Sequence, residues 1–232
     1  STNKLRGGCH FADGQFDDAR FAIELVKMCS MSGGVLLNYV KATSFLKQAG
    51  RIVGIEAKDM INDNLIEITG KVVINAGGIF SDRIRKMDEG KISPMMSLAR
   101  GSHIVLDRKF LPGETAVVIP KTNDGRLAFM IPWLGKLLIG TTDIRTDRPL
   151  REPKPTSEEV DFLLFAAGEY LTKKPDHNDV LSVFSGIRPL VKKAATSTSK
   201  LSRSHKVTMS KSGLITLAGG KWTTGRKMAE DT

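Results

Sequence analysis

The chain has 232 residues, of which 41% are hydrophobic and 26% are charged, and its formal net charge is +10. This composition predicts a soluble globular protein and excludes an intrinsically disordered one. Two cysteines and four scattered histidines are too few and too widely spaced for a disulfide framework or a metal site, so we expect no metal and a reducing compartment.

The net charge by itself is compatible with nucleic acid, acidic lipid or a small anionic substrate. Nucleic-acid binders usually place basic clusters beside stacking aromatic side chains, but only 6% of these residues are aromatic. The most basic tract, Lys192–Lys206, is rich in small polar residues, which predicts a solvated loop. The sequence has no apolar run of about 18 residues and no basic leader before an apolar segment, so neither a membrane span nor a signal peptide is predicted.

The first part of the chain predicts a helix followed by strands. Residues 17–34 begin with an acidic cap, carry apolar residues at helical spacing and end at two glycines, which is typical of a helix. Asn62-Asp63-Asn64 predicts a hairpin turn, and 72–76 predicts a buried strand that meets the glycine turn after it. The β-rich runs are 34–45, 51–60 and 64–78.

The middle of the chain predicts an antiparallel sheet. Four β-rich runs lie between residues 98 and 143, separated by hairpin-length turns. A helix is predicted to begin at Thr156 or Ser157, which forms a capping-box pattern with Glu159. Together with the first part, these runs predict a mixed α/β fold with an antiparallel insert.

The last part predicts a strand, a glycine turn and a helix start. Residues 180–191 read as a strand that ends at Gly186-Ile187-Arg188-Pro189. The stretch 214–232 contains a double glycine before Lys221, but it lacks the first glycine and the Ser/Thr that a P-loop requires. A helix N-terminus after a glycine turn suits an anion or a carbonyl oxygen, although such a turn can also be purely structural.

Five short motifs resemble, in order and rough spacing, those of FAD-dependent glycerol-3-phosphate dehydrogenases. The similarity runs from about Phe16 almost to the last residue. The motifs are RGSHIVL (100–106), MIPW (130–133), IGTTD (139–143), SGIRPL (185–190) and GGKWTTGRKMAE (219–230).

The resemblance implies a glutathione-reductase-like FAD-binding domain with an inserted antiparallel substrate domain, as in the D-amino-acid oxidase group. We therefore expect residues 1–90 to form a partial FAD-binding domain, 91–205 the substrate-binding domain, and 206–232 a return to the FAD-binding domain. The family oxidises sn-glycerol 3-phosphate to dihydroxyacetone phosphate by hydride transfer to FAD and passes the electrons to quinone or another acceptor. The resemblance also implies a cytoplasmic enzyme that can associate peripherally with the inner face of the cytoplasmic membrane.

The sequence departs from this family in three respects. It contains no G-x-G-x-x-G pattern, it does not start with methionine, and it ends inside a predicted helix. We therefore expect a fragment without the first dinucleotide-binding unit and without a C-terminal cap domain. Such a fragment is expected to be inactive by itself and to hold no FAD tightly.

A phosphate dianion calls for guanidinium and ammonium groups. By resemblance, Arg188, Arg203 and Lys221 match the substrate-binding cations, and Thr141 is a further substrate contact. Arg203 could equally be a surface cation, and Thr141 could cap a strand. Arg188 lies between an apolar strand and a proline, where an unused charge would cost desolvation energy.

Oxidation of the substrate hydroxyl requires a general base, and histidine is the natural candidate. His103 lies in the GSHIVL segment at a position that matches the family, so His103 and Arg188 are the expected catalytic residues. The alternative for His103 is a histidine that is satisfied by hydrogen bonds within the sheet.

The expected FAD contacts also follow from the resemblance. Gly78-Ile79-Phe80 replaces the Gly-Pro-Trp that is common in the family. The expected contacts are Ala42, Ala76, Gly77, Gly78, Gly186, Gly220, Lys221, Trp222 and Thr223.

Two other functions remain open at this point. One is an oxidase of the D-amino-acid or sarcosine type, with the same architecture and an amino or carboxylate substrate. The other is a basic, non-enzymatic module that binds anions or nucleic acid.

Overall fold

The computed structural model describes residues 7–120, 122, 125, 127–192 and 204–232. The helices in these ranges are α1 (Asp18–Met31), α2 (Ser81–Glu89), α3 (Ser157–Gly168) and α4 (Gly225–Asp231). The strands are β1 (Val40–Gln48), β2 (Arg51–Asp59), β3 (Leu65–Thr69), β4 (Ile74–Asn75), β5 (Met96–Asp107), β6 (Val117–Ile119), β7 (Ala128–Trp133), β8 (Lys136–Gly140), β9 (Ile144–Thr146), β10 (Ser182–Val191), β11 (His205–Met209) and β12 (Ile215–Gly219).

The described residues fall into two compact units, 7–42 with 57–66, and 43–56 with the described part of 67–232. The first unit contains α1, whose N-cap is Asp17. The side chain of Asp17 accepts a hydrogen bond from the Arg20 N–H, which satisfies one of the free donors at the helix start. The helix predicted in this part of the sequence is therefore confirmed.

The strands β1, β2 and β3 form a three-stranded sheet in that order. The turn between β2 and β3 passes through Asp63, which has a positive φ of 63°, as a tight turn requires. The predicted hairpin is therefore confirmed. The first strand begins at Val40, whereas the apolar run had predicted a start at residue 34.

The prediction of a buried strand at 72–76 is wrong. The strand β4 consists of Ile74 and Asn75 alone, and Val72 and Ile74 are 57% and 51% exposed. In the described part of the chain β4 pairs in parallel with β12 and has no strand on its other edge. An apolar run is buried only where neighbouring elements cover it, and the run itself does not specify them.

The second unit is dominated by a six-stranded sheet in the order β10-β5-β8-β7-β6, with β9 also paired to β5. The strand pairs in this sheet are antiparallel, which confirms the predicted antiparallel insert. Side chains alternate between the two faces of β5, and Ile104 and Leu106 lie in the core on one face. His103 therefore lies on the opposite face.

The helix α3 covers the core face of this sheet. Thr156 and Glu159 form the predicted capping box, and α3 buries Leu163 and Ala167 against the sheet. Both side chains are fully buried. None of the described helices is long and apolar enough to cross a membrane.

Two predictions about the last part of the chain are corrected. The strand β10 continues through Arg188 and Pro189 to Val191, rather than ending at 186–189. It lies at the edge of the sheet, where a proline without an N–H is tolerated. The end of the basic tract is not a loop, because His205 and Lys206 belong to β11, which pairs with β12.

Candidate functional site

The candidate site lies on the face of the six-stranded sheet opposite α3. Positions two apart on a strand point to the same face, so three neighbouring cross-strand pairs share this surface. The pairs are His103 with Phe184, Gly101 with Gly186, and Ala99 with Arg188. An imidazole and a guanidinium therefore flank a floor made of two glycines.

His103 is held by ring packing. Its ring stacks on Phe184, with centroids 5.0 Å apart and planes inclined by 11°. The same ring covers Gly140, where a Cβ atom would overlap it, so only glycine fits at that position. Within the described residues the Nδ1 atom is buried and has no hydrogen-bond partner. For Nδ1 this differs from the alternative considered for His103, in which hydrogen bonds within the sheet satisfy the histidine.

Burial, followed by the nearby Arg188 charge, lowers the pKa of His103 from 6.5 to about 4. The folded protein therefore holds this imidazole neutral near neutral pH. A neutral imidazole can accept a proton, and the guanidinium beside it disfavours the charged form. The site thus combines a proton acceptor with a fixed positive charge.

Arg188 is held in place by the segment that follows β8. Its Nη2 donates to Thr141 Oγ1 at 2.8 Å, and its Nη1 donates to the Thr142 carbonyl at 3.2 Å. Nη1 also lies 3.4 Å from an oxygen of Asp143. The guanidinium covers Gly101, where a Cβ atom would lie 2.5 Å from Nη1. Its side chain remains 29% exposed, so it can still meet an anion.

Gly186 leaves open space between these two groups. Apart from the two chain neighbours of Gly186, no atom of the described residues would lie within 4 Å of a Cβ atom there. The surface between His103 and Arg188 can therefore accept a flat or small group directly against the backbone.

On the other face of β5 lies a buried carboxylate that sequence reasoning had read only as a helix cap. Glu159 is 4% exposed and accepts hydrogen bonds from Thr142 Oγ1 at 2.7 Å and Ser102 Oγ at 2.8 Å. It also forms an ion pair with Arg100 at 2.7 Å. Burial by itself raises the pKa of Glu159, but hydrogen bonds from Thr156, Thr142 and Ser102 and the Arg100 charge together lower it.

The glycine turn after β12 lies beside the end of β10. Gly219 and Gly220 have φ values of 75° and 91°, which favour glycine. A Cβ atom at Gly219 would lie 2.5 Å from Val191 Cγ2, and one at Gly220 would overlap the Met228 thioether. The glycines are therefore required for packing within the protein. Of the residues predicted on this turn, Lys221, Trp222 and Thr223 are exposed.

The other predicted cofactor contacts lie elsewhere. Ala42 belongs to the first unit. Ala76 is exposed, and a Cβ atom at Gly77 would lie 2.5 Å from Ile84 Cδ1. Gly78 has a φ of 54°, and a Cβ atom there would have no atom of the described part of the chain within 4 Å apart from its chain neighbours. Arg203 lies outside the described residues.

The structure thus brings together four predicted residues on one sheet face, namely His103, Arg188, Thr141 and Gly186. Sequence reasoning missed the residues that hold them, which are Gly101, Gly140, Asp143, Glu159 and Phe184. A glycine inside a strand often marks a close approach, so Gly101 and Gly140 carried a usable signal. No group of His, Cys, Asp and Glu in the described ranges could hold a metal ion.

The model of the family described as FAD dependent oxidoreductase matches residues 1–226. A probable glycerol-3-phosphate dehydrogenase of Encephalitozoon cuniculi is 40% identical, over 98% of this chain and 37% of its own length. A mitochondrial glycerol-3-phosphate dehydrogenase of Arabidopsis thaliana is also 40% identical, over 98% of this chain and 36% of its own length.

Among solved structures, the glycerol-3-phosphate dehydrogenase of Bacillus halodurans in complex with FAD has a TM-score of 0.83 and 38% identity. The match covers 93% of this chain and 41% of that one. The chain therefore spans between 36% and 41% of the length of these three relatives.

Proposed function

Because this chain belongs to the FAD dependent oxidoreductase family, we propose that the protein oxidises sn-glycerol 3-phosphate to dihydroxyacetone phosphate. One observation carries this proposal: a partly exposed guanidinium and a neutral imidazole are fixed on the same sheet face, with one cross-strand pair, Gly101 and Gly186, between them. Relatives that are 40% identical and named glycerol-3-phosphate dehydrogenase support it. The family match argues against a non-enzymatic basic module.

In this proposal Arg188 binds the substrate phosphate. Guanidinium forks suit phosphate oxygens, and Thr141, Thr142 and Asp143 restrict this fork to one orientation. Thr141, Lys221 and Arg203 complete the proposed substrate contacts. A substrate held at Arg188 extends over Gly186 towards His103.

His103 is proposed as the group that accepts the proton of the substrate hydroxyl. Its lowered pKa keeps the ring unprotonated at neutral pH, and the stacked Phe184 fixes its orientation. The hydride of the same carbon then has an acceptor in FAD, which supplies the redox chemistry when it is bound.

The described residues fit a flavin. Gly186 and Gly78 have open space, and Phe184 and Trp222 are 45% and 44% exposed. The open backbone at Gly186 and the partly exposed Phe184 ring two residues away on β10 suit a planar ring system. The proposed cofactor contacts are Ala42, Ala76, Gly77, Gly78, Gly186, Gly220, Lys221, Trp222 and Thr223.

The domain boundaries, the electron acceptor and the location are part of the same proposal. We assign 1–90 and 206–232 to the FAD-binding domain and 91–205 to the substrate domain, and β5 and β11 begin close to these boundaries.

Quinone is proposed as the acceptor of the electrons. The protein is proposed to be cytoplasmic and to associate peripherally with the membrane that holds this quinone. Its plant relative is named as mitochondrial.

The test is anaerobic reduction of the flavin-loaded protein, expressed at its natural length. We expect sn-glycerol 3-phosphate to bleach the flavin absorbance and to yield one dihydroxyacetone phosphate for each flavin reduced. Glycerol should reduce the flavin far more slowly, because it lacks the phosphate that Arg188 binds.

The variant Arg188→Met should lose most of this preference for the phosphate, whereas Arg83→Met, which changes an exposed arginine on α2, should retain it. Glycine and sarcosine serve as competing substrates. Reduction by either amine, without reduction by glycerol 3-phosphate, would favour the amine-oxidase alternative.

A further inference from the structure

Thr142 links the two faces of the six-stranded sheet. Its hydroxyl accepts a hydrogen bond from the Ser102 N–H at 2.9 Å and donates to Glu159 on the α3 side. Its carbonyl accepts a hydrogen bond from Arg188 on the opposite side. A change at Glu159 can therefore alter the position of the Arg188 guanidinium, because Thr142 contacts both groups.

The carboxylate of Glu159 has partners on both oxygens. Oε1 accepts from the hydroxyls of Thr142 and Ser102, and Oε2 accepts from the Thr156 N–H at 3.0 Å and pairs with Arg100. The four partners come from the N-cap of α3, from β5 and from the segment after β8. A carboxylate that accepts from all of them fixes this segment relative to the helix and the sheet.

From this geometry we propose that Glu159 is a positioning residue that sets the orientation of Arg188 through Thr142. This inference rests on the function proposed above, in which Arg188 binds the substrate phosphate. Glu159 itself touches neither substrate nor cofactor in this proposal. Its effect is to hold the Thr142 carbonyl where the guanidinium can use it.

The negative charge of Glu159 is needed for this arrangement. Four donors point at its two oxygens, and a carboxylate has acceptor capacity for all of them. A glutamine would turn its NH₂ group towards two donors, on whichever side it faces. In one orientation the hydroxyl hydrogens of Thr142 and Ser102 would lose their acceptor, and in the other the Thr156 N–H and the partly exposed Arg100 would lose theirs.

A second buried carboxylate provides a matched control. The Asp88 side chain is 1% exposed, pairs with Lys47 at 2.7 Å, and accepts from Ser210 Oγ and Ser212 Oγ at 2.6 Å. Like Glu159, it therefore has one cation and two hydroxyls as partners. None of these three partners contacts Arg188 among the contacts of the described residues.

The experiment compares Glu159→Gln with Asp88→Asn in the flavin-loaded protein at its natural length. We expect both variants to lower the melting temperature, since each leaves buried donors unpaired. Only Glu159→Gln should raise the KM for glycerol 3-phosphate and the Kd for dihydroxyacetone phosphate, by about tenfold, the size typical of a lost hydrogen bond to a charged group. The kcat should change less, because His103 stays in place.

A second pair of variants tests the link itself, and it remains informative if Glu159→Gln does not fold. Thr142→Val removes the hydroxyl at nearly constant volume and should raise KM and Kd as Glu159→Gln does. Thr142→Ser restores the hydroxyl and should bring both constants back towards those of the unaltered protein.

The inference is overturned if Glu159→Gln and Thr142→Val leave KM and Kd as Asp88→Asn does, while the unaltered protein is reduced by glycerol 3-phosphate. If the unaltered protein is neither reduced by glycerol 3-phosphate nor binds dihydroxyacetone phosphate, the proposed function itself fails, and the positioning role of Glu159 fails with it.

Discussion

Glu159 and Asp88 are two solutions to the same physical problem in different regions of the second unit. Each is a carboxylate removed from water, and each is compensated by one cation and two side-chain hydroxyls. Asp88 ties α2 to the turn between β11 and β12. Glu159 ties α3 to the segment that holds Arg188. Under the positioning role proposed for Glu159, equal bonding serves stability alone in one place and ligand geometry in the other.

The pKa values of both carboxyls illustrate this equivalence. Burial alone raises the pKa of Asp88, but Lys47, Ser210 and Ser212 together lower it below its usual value, as the partners of Glu159 do there. Both groups are charged at neutral pH in the folded protein. The two carboxylates differ in what their partners contact. Thr142, a partner of Glu159, also accepts a hydrogen bond from Arg188, whereas Asp88 is bonded to Lys47, Ser210 and Ser212.

The largest expected effect comes from moving Arg188 without altering either carboxylate. A methyl group in Gly101→Ala would overlap the guanidinium, which is the flexible end of a side chain and can move aside. We expect KM for glycerol 3-phosphate to rise by more than tenfold, roughly the loss of a bidentate charge-assisted contact. Steady-state kinetics measure the change.

The control for this prediction is Gly168→Ala at the end of α3. A Cβ atom there would lie 3.5 Å from Lys174, an ordinary contact, and the site should be unaffected. If Gly101→Ala leaves KM unchanged, the phosphate does not bind at Arg188, and the contrast between Glu159 and Asp88 loses its functional meaning.

A smaller effect is expected on the pH dependence of the free energy of unfolding, to which His103 and the two carboxylates contribute in different pH ranges. The folded pKa of His103, about 4, lies below its usual 6.5, so the unfolded chain binds this proton more readily. The free energy of unfolding should therefore fall as the pH drops from 6.5 towards 4. The stability that Glu159 and Asp88 contribute is present above their usual pKa values and is lost only at lower pH.

Urea denaturation at a series of pH values measures this slope. We expect His103→Asn to flatten the slope between pH 6.5 and 5. A slope that survives in His103→Asn would show that another group carries it.

The smallest expected effect concerns the helix cap next to Glu159. Thr156→Ala removes the hydroxyl that accepts from the Glu159 N–H, and it should cost about 1 kcal/mol of stability. The Thr156 N–H still donates to Glu159, so KM should not change. Thermal unfolding and kinetics on the same preparation check both parts, and a raised KM would mean that capping and positioning cannot be separated.

Local sequence signals were sufficient for the elements that depend on neighbours in the chain. The cap of α1, the capping box of α3 and the turn at Asp63 depend on side chains within a few residues, so periodicity and turn chemistry predicted them. The same signals failed for β4 and for the end of β10, because partners far away in the chain decide whether a strand is buried and how far it continues.

For the candidate site, the sequence by itself determined the residue types and, through the alternation of strands, that His103 and Gly101 share a face of β5. Only the tertiary structure decided that Arg188 covers Gly101, that Phe184 stacks on His103, and that Glu159 accepts a hydrogen bond from Thr142. These contacts join residues between 17 and 87 positions apart in the numbering. They depend on strand register and on packing of α3, which no local pattern specifies.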